Sequence, residues 1–213
     1  MTRSQFVRLS AVVMLMLFAA AVSLTRAADV EPGFESLFDG KDLSGWEGDE
    51  KLWKVQDGKI VGDSAGINHN EFLCTKKTFT NFELRIEFKI DKGVGNSGVQ
   101  FRTKRLPNST EVSGYQADLG ENYWGCLYDE SRRNKILAPA SPKLADALKK
   151  DDWNTYVIRA DGDHITLKIN DVTTVDYTEK DPDIAKTGII ALQVHAGGPM
   201  RAEFRNLRIK QLP

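Results

Sequence analysis

The chain has 213 residues, 41% hydrophobic and 28% charged, and its 29 basic side chains nearly cancel its 30 acidic ones. That length can bury one substantial core, so a single domain is expected. The near-balance of charge argues against a nucleic-acid partner, and two cysteines do not make a disulfide framework.

Positions 1–28 read as an export signal, because Arg3 and Arg8 precede an apolar run from Ala11 to Leu24 and small residues at Ala27 and Ala28 suit cleavage. The run is about 14 residues, short of the roughly 18 to 20 that a spanning helix needs. The expected product is therefore exported, to the periplasm or beyond, with no stable membrane insertion after cleavage. Without Arg3, Arg8 and Arg26 it carries 26 basic against 30 acidic residues, about −4. Export makes a Cys74–Cys126 disulfide one reading, and two separate buried thiols the other.

From Gly33 onward, strand signals dominate. Asp57-Gly58 between KLWKV and KIVG marks a tight hairpin, since both positions favour positive φ. Along the next clear strand, Phe82, Leu84, Ile86, Phe88 and Ile90 face one way, and Glu83, Arg85, Glu87 and Lys89 the other. One short helix is expected from Ser141 as N-cap and Pro142 at its first position through Leu148, packed on a sheet edge. Asp161-Gly162 and Asn170-Asp171 close two more hairpins, and a parity slip near Arg205-Asn206 predicts a bulge. A dozen strands with one helix imply an all-β fold: two antiparallel sheets in a jelly-roll sandwich, a single domain over 33–213.

Three strands carry an unusual polar parity. In SGVQFR (97–102), GYQADLG (114–120) and GIIALQVHAG (188–197), the residues Val99, Phe101, Ala117, Leu119, Ile190, Leu192 and Val194 take the apolar side. Gln100, Arg102, Gln116, Asp118, Gln193 and His195 take the other, and would share one sheet face. Amides, a guanidinium, a carboxylate and an imidazole together offer donors and acceptors for a hydroxylated ligand. In ENYWGCLYDESRRNKIL (121–137), Trp124 and Tyr128 could stack on a sugar or serve as core, and Asp129 and Glu130 are candidate acids. His69 could roof the site from its loop, and His164 is expected to be solvated.

Taken in order, NFELRIEFK, GNSGVQFR, GYQADLG, YWGCLYDESRRN, DWNTYVIRADG and GIIALQVHAGGP followed by FRNLRIK resemble the 3-keto-disaccharide hydrolase family, described also as 3-keto-glucoside 1,2-lyase and 3-keto-2-hydroxy-glucal hydratase. The resemblance covers about Gly33 to Leu212 and implies a concanavalin-like sandwich acting on an oxidised (3-keto) sugar. A ketone at C3 acidifies the C2 hydrogen, so a base can remove it while the C1 oxygen leaves. Such chemistry needs a base, an acid and a holder for the enolate oxygen. His195 is then expected as base, Asp118 as acid or as the orienter of His195, and Arg102 with Gln100 at the keto oxygen. Gln116, Gln193, Asn96, Tyr115 and Trp124 are expected to bind the sugar. A divalent metal on Asp118, Glu87 and His195 could take over part of this role. A noncatalytic sugar-binding module, a two-carboxylate glycosidase using Asp118 with Asp129 or Glu130, and the oligomeric state all stay open at this point.

Overall fold

The computed structural model describes residues 31–213, so the expected export signal lies outside the described residues. The elements run β1 (Glu35–Ser36), β2 (Trp46–Glu47), β3 (Trp53–Gln56), β4 (Lys59–Ser64), β5 (Glu71–Thr75), β6 (Phe82–Ile90), β7 (Asn96–Arg105), β8 (Val112–Gly120), β9 (Leu127–Glu130) and β10 (Lys135–Ala138). After α1 (Leu144–Ala147) come β11 (Asn154–Asp161), β12 (His164–Ile169), β13 (Val172–Thr178), β14 (Ile189–Val194) and β15 (Met200–Gln211). The first sheet has the order β13-β12-β11-β6-β15-β4-β3, with β1 beside β15; the second has β10-β9-β8-β7-β14-β5-β2. Among the described residues all strand pairings are antiparallel, and the all-β sandwich with one short α-helix stands as expected.

Period-two patterning explains the core. Phe82, Leu84, Ile86, Phe88 and Ile90 of β6 are buried, while the charged residues between them are only half-covered. From the second sheet, Val99, Phe101, Ala117, Leu119, Ile190, Leu192 and Val194 meet them. Phe82 and Phe101 pack edge to face across the sandwich, their centroids 6.2 Å apart. That geometry suits the ring quadrupoles.

Turn chemistry sets the register. Asp57 and Gly58 have φ of 50° and 71°, and Asn170 and Asp171 have 45° and 68°, as two-residue hairpins with the strands' own twist require. The β11–β12 turn falls one residue later than expected: Asp161 pairs with His164, leaving Gly162 and Asp163 as the loop. A bulge between Arg205 and Arg208 breaks the β15–β6 ladder, and Asn206 there takes a φ of 53°. The helix is shorter than expected, Leu144–Ala147, with Ser141 and Pro142 forming a turn ahead of it. It does sit at a sheet edge, where the Ser141 N–H donates to the Thr174 carbonyl of β13. Cys74 and Cys126 are separate buried thiols, pushed up to about 11 and about 12 by burial.

Candidate functional site

Gly98, near the start of β7, is the hub of the polar face. Across the β7–β8 ladder Gln100 faces Gln116 and Gly98 faces Asp118. Across the β7–β14 ladder Leu192 faces Val99, so one step along the strand brings Gln193 to the other flank of Gly98. With no side chain at 98, Gln116 leans over the gap: a Cβ there would stand 2.5 Å from its Cδ. From that position Gln116 accepts from Gln100 Nε2 at 2.6 Å and donates through its own Nε2 to Asp118 Oδ2 at 2.9 Å. A relay of two amides thus ends on the carboxylate.

This layer is closed rather than solvated. Gln100 and Gln193 are fully buried, and Gln116 and Asp118 expose only 2% and 3%. Burial pushes the Asp118 carboxyl up to about 7, against the hydrogen bond from Gln116 and the nearby Leu119 N–H and Asn96 amide, which favour its charged form. Asn96 Oδ1, Gln100 Oε1, Asp118 Oδ1 and both polar atoms of Gln193 are buried with no hydrogen-bond partner. Unpaired buried polar atoms are costly, and a cluster of them is a mark of a site. Four are acceptors and one, Gln193 Nε2, is a donor, a pattern suited to hydroxyl groups and one carbonyl.

The same outer face has an apolar half that the sequence reading missed. Gln193 faces Phe72 and Ala191 faces Cys74 across β14–β5, and these apolar residues bury against Val112. They are covered because the β7–β8 hairpin curls over the sheet, pinned where Arg105 Nη2 donates to the Glu47 carbonyl at 2.7 Å. The uninterrupted apolar run Phe72-Leu73-Cys74 was the available signal, since a strand buried on both faces loses its alternation.

At the rim, His195 is half-buried just beyond β14, its Nδ1 2.6 Å from the Ala196 carbonyl. A carbonyl oxygen only accepts, so Nδ1 carries a proton, which in the neutral ring leaves the lone pair on Nε2. Glu130, on β9, has its carboxyl raised by burial and by the Glu111 charge, with His195 near enough to oppose the shift. His69 is exposed beside this rim, bonded to Asn68 and Glu71, while exposed His164 pairs with Asp176 on the other sheet.

Four expected site residues lie elsewhere. Arg102 follows the point where the β7–β8 register slips, takes a φ of 46°, and swings to the end of the sandwich. There its guanidinium donates to the carbonyls of Thr80 and Gly162 and to Asn81 Oδ1. Tyr115 shares the inward parity of Ala117, stacks on Phe101 and donates to Glu179, so it belongs to the core. Trp124 is half-buried and stacks on Phe88, packed against the core. Glu87 is on the outer face of the first sheet, held by Arg205 and Asn206, so Asp118, Glu87 and His195 form no common metal centre. Asp129 points inward to Arg132 and Arg133, which leaves Glu130 as the outward carboxyl of that pair. Two open hollows, of about 730 and 660 Å³, lie at the β2–β3 edge and over the first sheet. Neither contains Asp118 or His195, and the buried amide layer is the better candidate on chemical grounds.

Residues 33–210 match the model of the 3-keto-α-glucoside-1,2-lyase-like domain. A 3-keto-disaccharide hydrolase of Bacteroides thetaiotaomicron is 36% identical over 170 residues, 68% of this chain and 58% of that protein, so the match spans little more than half of the relative. Among solved structures, a candidate glycosyl hydrolase of Parabacteroides distasonis is similar with a TM-score of 0.65 at 21% identity, covering 85% of this chain and 94% of that one. A carbohydrate-binding module of Bacillus subtilis, CBM66, is similar with a TM-score of 0.60 at 17% identity, over 77% and 94%. Those two likenesses concern the fold. The extent of the domain match and the identity to the curated hydrolase decide the family: this chain belongs to the 3-keto-α-glucoside-1,2-lyase-like domain family.

Proposed function

We propose that this protein is an exported enzyme that cleaves the glycosidic bond of 3-keto-glucosides by elimination across C1 and C2, followed by hydration. The single observation that carries the reading is the buried Asp118 carboxyl, pushed up to about 7 at the end of an amide relay. A group of that acidity is part protonated near neutrality and can both give and take a proton. His195 Nε2 serves as the base at C2, as its Nδ1–H contact to Ala196 supports. Gln193 Nε2 is the donor for the C3 oxygen as negative charge develops there. With Arg102 turned away, this amide takes the part expected of the guanidinium.

The electron pair of the C2–H bond forms the enolate, the C1–O bond breaks, and the departing oxygen takes a proton from Asp118. Water then adds across the glucal double bond, with one proton returning to C2. The sum is hydrolysis. Productive binding opens this closed layer to the sugar, whose hydroxyls then reach the unpartnered oxygens of Asn96 and Gln100.

The deciding experiment incubates the purified protein with 3-keto-trehalose and 3-keto-sucrose beside the unoxidised sugars. Cleavage confined to the keto substrates is expected. Equal cleavage of both sets would make it a two-carboxylate glycosidase, and binding without turnover a sugar-binding module.

A further inference from the structure

His195 lies one residue past the end of β14, so no ladder sets its ring. What fixes the imidazole is the carbonyl of Ala196, and that carbonyl belongs to a segment with little stiffness of its own, followed by Gly197 at a φ of 139° and Gly198. Stiffness comes from the loop ahead of β5. The Gly197 N–H donates to the Ile67 carbonyl at 2.8 Å, and the Ile67 N–H returns to the Gly197 carbonyl at 3.1 Å. One residue earlier, the Ala196 N–H donates to Asn70 Oδ1 at 2.9 Å. Both peptides flanking Ala196 are thereby gripped, one of them by a side chain.

The other end of that side chain reaches a different element. Asn70 Nδ2 donates to Glu111 Oε2 at 3.4 Å, beside the start of β8 in the hairpin that covers the apolar half of that face. Glu111 and His195 both lie close enough to Glu130 to act on its carboxyl, so the amide joins two elements that border the same acid. One carboxamide uses its acceptor on the imidazole's support and its donor on the hairpin.

We propose that Asn70 is a positioning residue: it holds His195 in its Nδ1–H form by anchoring the Ala196 peptide, and it locks the Glu111 hairpin to the same point. The inference rests on His195 acting through Nε2 in the reading above. Asn70 itself touches no reacting atom.

The chain has three histidines, so the nitrogen resonances of each imidazole in labelled protein can be assigned by replacing His69 and His164 in turn. His195 should show protonated Nδ1 in the native protein and a mixture of tautomers in Asn70→Ala. On 3-keto-trehalose the same variant should lose about tenfold to a hundredfold in kcat while KM moves less than about threefold, because misplacement of a reacting group acts on the transition state. Asn70→Asp sets a carboxylate against Glu111 and should also lose activity. Adding Glu111→Gln restores a donor facing an acceptor with the roles exchanged, and should recover most of that loss. A folded Asn70→Ala with unchanged tautomer and kcat overturns the proposal, as does a double variant no better than Asn70→Asp. His195→Gln separates the two readings. If it keeps full kcat while Asn70→Ala still shifts the tautomer, the positioning role stands and the catalytic role of His195 falls.

Discussion

Asp118 shows how one residue can carry a chemical role and a stability cost together. Its carboxyl is raised from 3.8 to about 7 by burial. Below about pH 4 both folded and unfolded chains hold the proton, and the group costs nothing. Between about pH 4 and 7 the unfolded chain ionises while the folded one stays protonated, so stability falls as pH rises, by up to about 4 kcal/mol on the alkaline side. Asp118→Asn removes that titration. Thermal melts should show the variant level with the native protein near pH 4 and progressively more stable above it. A constant gap across the range would mean that the carboxyl ionises normally. Activity on a 3-keto substrate should fall by about a hundredfold or more, the usual share of a proton-transfer group.

At the scale of the strand, Gly98 decides whether the amide relay exists. Its backbone is ordinary extended strand, so the constraint is space: a Cβ would meet Gln116 Cδ, Cγ and Oε1 at 2.5, 2.7 and 2.8 Å. Gly98→Ala should cost about 1 to 3 kcal/mol through overpacking, and should displace Gln116 from Gln100 and Asp118. Pairing it with Gln116→Ala removes the clash. The double variant should regain stability in denaturant titration but not activity; regained activity would show that the relay is dispensable. Parity predicted most of this face, because Gln100, Gln116, Asp118 and Gln193 all point where alternation put them. It also contained a correction that went unread, since Tyr115 has the same parity as the inward Ala117. Arg102 broke the pattern for another reason. A bulge shifts parity by one, and nothing in the local residues of SGVQFRTKR announces it.

For the molecule as a whole, Arg102 has become a tie between sheets. From β7 of the second sheet it reaches the β11–β12 turn of the first at Gly162 and the linking segment at Thr80 and Asn81. With Arg102 3% exposed, its loss would take the guanidinium donors from the Thr80 and Gly162 carbonyls, while Asn81 Oδ1 keeps the Gly162 N–H. Arg102→Ala should therefore destabilise by about 3 kcal/mol, read as a lower denaturant midpoint, since hydrogen bonds to charged groups and orphaned acceptors both weigh heavily. The folded fraction should keep its kcat. A stable variant with lost kcat would return Arg102 to the site. A second tie runs from Asp129 through Arg133 to Glu179 and Tyr115, joining β9, which carries Glu130 outward, to the segment after β13. Burial alone would raise Glu179, but hydrogen bonds from Arg133 and Tyr115 bring it down to about 2. Its stabilising contribution is full above about pH 4.5 and disappears as pH falls toward 2.

Periodicity and turn chemistry by themselves determined the sandwich, its hairpins, the inward apolar set and the outward amides, because these depend on alternation along single strands. Only the tertiary structure decided that the outward face is a buried second layer, that Glu87 belongs to the opposite sheet, and that Trp124, half-buried, packs against the core. Those outcomes depend on how strands order themselves within sheets and on a hairpin folding back over one of them. Both are long-range contacts, and a local pattern of residues does not encode which distant strand will lie beside it.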